Sequence, residues 1–179
     1  RNKNQGLSNT LNRAYKELAN GEFLTSCSSD DFFLKDKISK QVNFLIQNPE
    51  YKIVYGKAIA VNHKDEQLNL KTQEINKNLR GGEVFKEILL QEFHPPVNYM
   101  FRRDVLEEIG YYRKNVWAED FDMNLRISSK YKFGYIDEFL IGYRIEERYN
   151  KNLNFKTVYS HLDSINQYKN HPLYRKAIK

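Results

Sequence analysis

A chain of 179 residues, 40% hydrophobic and 14% aromatic, is long and apolar enough to bury one sizeable core, which excludes a disordered segment. Its single cysteine excludes an intramolecular disulfide and a multi-cysteine zinc site, and no apolar run approaches the roughly 20 residues of a membrane span. The formal charge of +6 suits anionic partners, but the lysines are spread along the chain, so the charge favours an anionic ligand over nucleic acid. Cys27 lies in an apolar stretch and reads as a small core residue. The opening RNKNQG has neither an initiating methionine nor a leader, and the expectation is a cytoplasmic chain cut from something longer.

Leu7, Leu11, Ala14, Tyr15 and Leu18 fall at helical spacing and predict a helix over residues 7–19, capped by Ser8 and stopped at Asn20-Gly21. Residues 22–27 read as a short strand entering the core, followed by the polar run S-S-D-D at 28–31. A second helix is expected over about 35–48, with Ile38, Val42, Leu45 and Ile46 inward and Asn48-Pro49 as its stop. KIVYGKAIAV at 52–61 reads as a strand. Residues 62–82 are polar and end in Arg80-Gly81-Gly82, the pattern of a loop or flexible insertion. A short helix is expected at 83–91, an extended connection at the H-P-P run 94–96, a strand at 97–101 and a helix at 104–109 stopped by Gly110. The run W-A-E-D-F-D leads into a helix at 119–130, and 133–145 supply one or two strands. A helix from Phe155 to about Asn170 follows, with Val158, Leu162 and Ile165 inward. Strands alternating with helices argue for an α/β layered domain, with residues 146–154 leading to a C-terminal appendage.

Asp30 and Asp31 stand just past a strand, where α/β sheets collect their ligands. Adjacent carboxylates repel each other, and a hard divalent cation that keeps substrate phosphates as further ligands relieves that repulsion. The alternative is capping of the helix that begins near Leu34. Glu119, Asp120 and Asp122 cluster behind Trp117, either as a positioned general base with neighbours or as an ordinary acidic helix start. His63, His94, His161 and His171 show no metal-ligand spacing, and neither a P-loop nor G-x-S-x-G occurs. Arg102-Arg103 and the run YYRK meet phosphate or form solvated surface.

The order of these signals carries more than any one of them. The chain runs N-Q-G-L-S-x-x-L-N-R-A, N-G-E-F-L, S-S-D-D, K-I-S-K-Q-V, Y-M-F-R-R-D-V-L-E-E-I-G-Y, A-E-D-F-D-M-N-L-R and Y-R-I. Over about residues 1–146 this resembles the family-two glycosyltransferases of bacteria, inverting enzymes of the GT-A fold. The resemblance implies a Rossmann-like mixed sheet flanked by helices, incomplete at its N-terminal side because the family's first nucleotide-binding βα units are missing. Residues 1–146 would then be the C-terminal portion of the GT-A domain and 147–179 a helical extension. It implies Mn²⁺ or Mg²⁺ on Asp30 and Asp31, and nucleotide contacts from Asn4, Gly6, Asn12, Arg13 and Asp30. Asp120 matches the catalytic base, and Glu119 would shape the acceptor site. The implied reaction moves a sugar from a nucleotide donor, such as a UDP-sugar, to a glycan or lipid-linked acceptor in polysaccharide biosynthesis. Peripheral contact with the inner face of a membrane and dimerisation through an exposed strand edge are further expectations.

Three positions depart from the family pattern. Ser28 stands where the first aspartate of the metal motif is common, Glu146 where a histidine often follows Y-R-x, and Tyr111-Tyr112 where glycine and phenylalanine are usual. Two other readings stay open: a degenerate transferase domain kept for assembly, and a basic binding module for nucleic acid or a membrane.

Overall fold

The computed structural model describes residues 4–145 and 155–179. Its sheet has five strands in the order β1 (Phe23–Thr25), β4 (Met100–Arg102), β3 (Ile53–Val61), β5 (Phe133–Arg144), β2 (Phe32–Phe33). Only the β3–β5 pair is parallel; β4 is antiparallel to both β1 and β3, and β2 is antiparallel to β5. Strands β1, β3 and β5 therefore point the same way, and their carboxyl ends share one rim. The acidic run that follows β1 carries the chain from one edge of the sheet to the other. The helices are α1 (Leu7–Arg13), continued by a π-helical turn over Ala14–Leu18, α2 (Lys37–Gln47), α3 (Asn69–Ile75), α4 (Phe85–Leu89), α5 (Arg103–Ile109), α6 (Glu119–Ser128), α7 (Phe155–Asn166) and α8 (Tyr174–Ala177).

The main core joins Tyr15, Tyr55, Phe101, Leu106, Phe121, Met123, Leu125 and Phe133 with residues from nearly every helix. A smaller cluster of Leu45, Val54 and Met100 lies beneath α2. Each such side chain contributes about 1.5–3 kcal/mol by leaving water.

Several expectations need correction. The stretch 62–82 is not a loose insertion but contains α3, which replaces a missing strand. β4 pairs only with Ile53 and Val54, so the outer edge of β3 is left without a partner strand from Gly56 onward. Polar groups outside any strand cover it at every second residue, as a strand partner would. Asn98 takes the N–H and C=O of Gly56 at 3.0 and 2.9 Å, and Asn76 takes those of Ala58 at 2.9 and 2.7 Å. Thr72 Oγ1 accepts from Ala60 N–H at 3.0 Å, and the Leu68 N–H donates to Ala60 C=O at 2.8 Å. Leaving any of these buried groups bare would cost about 1–3 kcal/mol. No hydrophobic repeat encodes this arrangement.

The inward face of α2 also differs. Ile38 and Ile46 are 45% and 59% exposed, while Lys37, Gln41 and Leu45 are buried. The helix is turned because Gln41 Nε2 donates to the carbonyls of Val54 and Asn98 at 3.2 and 2.9 Å. Those acceptors need a polar partner more than the sheet needs another isoleucine. Of the α7 residues expected inward, Ile165 is buried, but Val158 and Leu162 stay 36% and 38% exposed. Cys27 is exposed, outside the core. Ser8 lies buried inside α1, whose N-cap is Gly6 at φ 81°, a backbone angle that glycine adopts at little cost.

Arg102 and Arg103 are neither solvated nor free for phosphate. Arg103 holds the carbonyls of Ala19 at 2.8 Å and Gly21 at 2.7 Å, and Arg102 bridges Glu22 and the Leu45 carbonyl at 2.8 and 2.7 Å. They fasten the start of β1 to β4 and α2.

Candidate functional site

The acidic run is fixed from both ends. Phe32 pairs with Gly142, and its ring lies where a Cβ on residue 142 would stand, 2.1 Å from the nearest ring carbon. Only glycine leaves room for that ring. Asp31 Oδ1 accepts the backbone N–H of Arg144 at 2.9 Å. The Arg144 guanidinium turns elsewhere, to the carbonyls of Asp30 and Asn62 at 2.9 and 2.5 Å and to Asp65 at 2.5 Å. Asp30 and Asp31 thus have no ion pair among the described residues. Burial raises the pKa of Asp31, the Arg144 N–H opposes that, and the Asp30 charge adds to it. Neither aspartate caps α2, whose N-cap is Asp36, itself making no side-chain capping bond.

Two rim carboxylates with no ion pair among the described residues are a fitting donor pair for Mn²⁺ or Mg²⁺, whose other ligands are commonly water and substrate phosphate. They are only part of a coordination shell: no cluster of three or more histidine, cysteine or acidic groups suited to a metal occurs among the described residues. Glu146 lies outside the described residues, as does the boundary expected at 146/147.

The second acidic cluster sits at the start of α6 and divides by role. Asp122 is fully buried and saturated: it accepts from Arg113 and Arg126 at 2.8 Å each, Gln167 at 3.0 Å and Ser164 at 3.1 Å. It ties α6 to α7 and has no oxygen to spare for chemistry. Asp120 makes no ion pair among the described residues, and its Oδ1 accepts only the neighbouring Phe121 N–H, at 2.8 Å. Its charge is felt by His94, His161, Tyr99, Tyr112 and Glu119. Burial raises the pKa of Glu119, and Asp120 adds to the rise. His161 stacks on Phe121 with ring centres 4.1 Å apart, and His94 meets the same ring at 5.5 Å. Lost solvent lowers the pKa of both imidazoles. Ser160 of α7 completes the helix start by accepting the N–H groups of Trp117 and Ala118 at 3.0 and 2.9 Å.

The start of α1 faces this cluster. Gly6, Ser8, Trp117 and Glu119 line one cleft of about 330 Å³. Asn4 Oδ1 accepts the Gly6 N–H at 2.9 Å. Asn12 grips the backbone of Tyr112 through both halves of its amide, at 2.8 and 2.9 Å, and so sets α1 against the loop before α6. Arg13 is exposed and pairs with Glu17 at 3.0 Å. Gly6 and Glu119 are therefore brought together, whereas Asp30-Asp31 and Asp120 form two clusters, one at the end of β5 and the other at the start of α6.

Sequence spacing missed His94 and His161, because 67 positions of chain separate two rings whose centres the fold brings to 5.9 Å, with Phe121 against both. It also missed Lys37, whose Nζ donates to Thr25 Oγ1 at 3.0 Å and Gln41 Oε1 at 2.6 Å, 4.2 Å from the Phe33 ring centre. Burial lowers its pKa from 10.5 to about 8, against a weaker opposing pull from Cys27. The unfolded chain then holds the proton that the native state has released, so Lys37 adds stability as pH rises from about 8 towards 10.5. In urea titrations, the stability of wild type relative to Lys37→Met should grow by about 2 kcal/mol between pH 7 and 10. A difference that stays flat over that range would show that Lys37 titrates normally in the fold.

The architecture matches solved glycosyltransferases. Over 90% of its length the chain aligns with Staphylococcus aureus TarS 1–349 in complex with UDP-GlcNAc, at a TM-score of 0.62 and 17% identity, covering 47% of that chain. Over 99% of its length it aligns with the mannosyltransferase PcManGT from Pyrobaculum calidifontis in complex with GDP-Man and Mn²⁺, at 0.63 and 16%, covering 48% of that chain. The fold is that of the GT-A glycosyltransferases. The model of glycosyl transferase family 2 matches residues 1–110, and the chain belongs to that family. A curated relative, an uncharacterised glycosyltransferase of Methanocaldococcus jannaschii called MJ1057, is 25% identical over 149 residues, which is 83% of this chain and 50% of the relative. The chain spans about half the length of the relatives it matches.

Proposed function

We propose that these residues form the catalytic and acceptor-facing part of an inverting glycosyltransferase, which moves a sugar from a nucleotide donor to a glycan or lipid-linked acceptor. The observation that carries this reading is the contrast at α6: Asp122 is saturated, while Asp120, two positions earlier, is unpaired and ringed by polar side chains. An unpaired carboxylate at a helix start is suited to take the proton of an acceptor hydroxyl as its oxygen attacks the anomeric carbon. Glu119, with its raised pKa, shapes the acceptor side. Gly6 and Asn4 border the donor cleft, with Asn12 positioning α1 and Arg13 at its surface. Asp30 and Asp31 hold Mn²⁺ or Mg²⁺, which when bound offsets the charge developing on the departing nucleoside diphosphate.

The 179 residues alone are expected to transfer sugar poorly, given how much longer their relatives are. No described helix is long and apolar enough to cross a membrane, peripheral contact with a membrane is part of the proposal, and the free edge of β1 is where a further strand or a second copy would add. The reading is tested by nucleoside diphosphate release from a panel of nucleotide sugars with Mn²⁺, using the full-length protein that carries these residues. Asp31→Ala and chelation should each lower release at least tenfold, and added Mn²⁺ should restore the chelated wild type. Release unaffected by either would remove the metal from the reading; no release with any donor and acceptor would favour a domain kept for assembly.

A further inference from the structure

A second cavity, of about 440 Å³, lies between α3, the connection 91–97 and β5. We propose that it is the acceptor pocket and that it selects an acceptor with an uncharged, apolar aglycone, an inference that rests on the transferase reading above. Its floor is the paired residues Ala58 and Ile141. Ile75 stands on one wall and Pro95, Pro96 and Val97 on the other. Both walls are bolted to the floor strand: Asn76 holds α3 to the Ala58 backbone, and Asn98, just past Val97, holds the other wall to Gly56. The cavity is thus preformed, and its volume falls in the range of about 300–1,000 Å³ usual for small-molecule sites.

Its position ties it to both acidic clusters. At one end Tyr143 precedes Arg144, whose N–H is bonded to Asp31. At the other end His94 lines the cavity while its ring meets Phe121, the residue after Asp120. An aglycone seated here would present its sugar hydroxyl between the two. The polar lining sets the charge of what enters. Among its charged lining residues Lys77 stands against Glu74 and Glu92, and Glu74 is already paired with Lys71 at 2.6 Å. With no excess of cations to hold a phosphate, the apolar floor and walls take a neutral aryl or alkyl group, not a lipid phosphate.

The test is binding to the isotope-labelled 179-residue chain, followed by amide shifts, with phenyl and methyl glycosides of glucose and galactose and with phenyl phosphate as probes. One of the phenyl glycosides should bind roughly tenfold or more tightly than its methyl counterpart, with shifts at Ala58, Ile141 and His94. Val97→Arg and Ile75→Arg, on opposite walls, should each remove that binding at least tenfold; a thermal melt identifies any variant that has lost its fold, and the other then decides. Equal binding of phenyl and methyl glycosides, shifts confined to other residues, no binding at millimolar probe, or tighter binding of phenyl phosphate would each overturn the proposal. Phenyl glycoside bound in the cavity of a protein that releases no nucleoside diphosphate would keep the pocket and remove the transferase reading. Transfer to a phenyl glycoside that ignores both arginine variants would do the reverse.

Discussion

Asp120→Asn is expected to lower sugar transfer by about 10²–10⁴-fold while leaving the donor KM within about twofold. The substitution keeps the size and the hydrogen bond to the Phe121 N–H, so the helix start should stay in place. What it removes is a group able to accept a proton. The surroundings offer poor substitutes. Burial lowers the pKa of His94 and His161, which weakens both as bases, and both rings pack against Phe121. Tyr99 and Tyr112 are buried, with pKa values pushed well up, so they stay protonated at neutral pH and do not act as bases. Glu119 is the nearest alternative, and Glu119→Gln should cost less than Asp120→Asn if it shapes the acceptor site without taking the proton. Transfer is measured at saturating donor across pH 5–9. A rate that falls by that factor in Asp120→Asn throughout the range, with the donor KM kept, supports the base; a variant with the wild-type rate would sink the assignment.

The family was legible in the sequence because its signals are short and ordered. Asp30-Asp31 after one strand, E-E-I-G before a loop and A-E-D-F-D at a helix start are each local, so spacing along the chain is enough to find them. The division of labour within A-E-D-F-D was not legible. Asp120 and Asp122 differ because a helix turns about 100° per residue, so two positions rotate a side chain from the open rim to the buried side. There Arg113 and residues of α7, some 40 positions away, saturate it. The inward face of α2 failed for a related reason. Periodicity finds apolar faces, and this one carries Lys37 and Gln41 because β3 and the 98 loop present unpaired carbonyls to it. Likewise α3 is mostly polar, and its hold on β3 comes from Thr72 and Asn76, residue types that read as loop when their partners are out of sight.

Asp122→Ala is expected to destabilise the fold by about 3–5 kcal/mol, because the cost falls on what the carboxylate leaves behind. Arg126 Nε and Arg113 Nε each lose their carboxylate partner, Ser164 and Gln167 lose an acceptor, and a cavity opens beneath α6. Arg126 is not wholly released, since it also donates to the carbonyls of Ile109, Gly110 and Tyr111 at 3.0, 2.7 and 3.0 Å. Its charge therefore stays fixed in a half-buried place with no anion to offset it. Arg113 keeps Asp163 at 2.6 Å, which is more exposed and so worth less. The loss should loosen α7 in particular, and with it Ser160, which satisfies the N–H groups ahead of Glu119 and Asp120. A stability residue thus supports from below the helix start proposed to carry the base. Urea unfolding of the wild type, Asp122→Ala and Asp122→Asn gives the comparison, with Asp122→Asn intermediate because an amide oxygen still accepts from one arginine. A fall of roughly 10 °C in Tm should accompany the alanine change. A cost below about 1 kcal/mol would mean that the two arginines find water instead, and that α7 is held by Ile165 and its apolar neighbours alone.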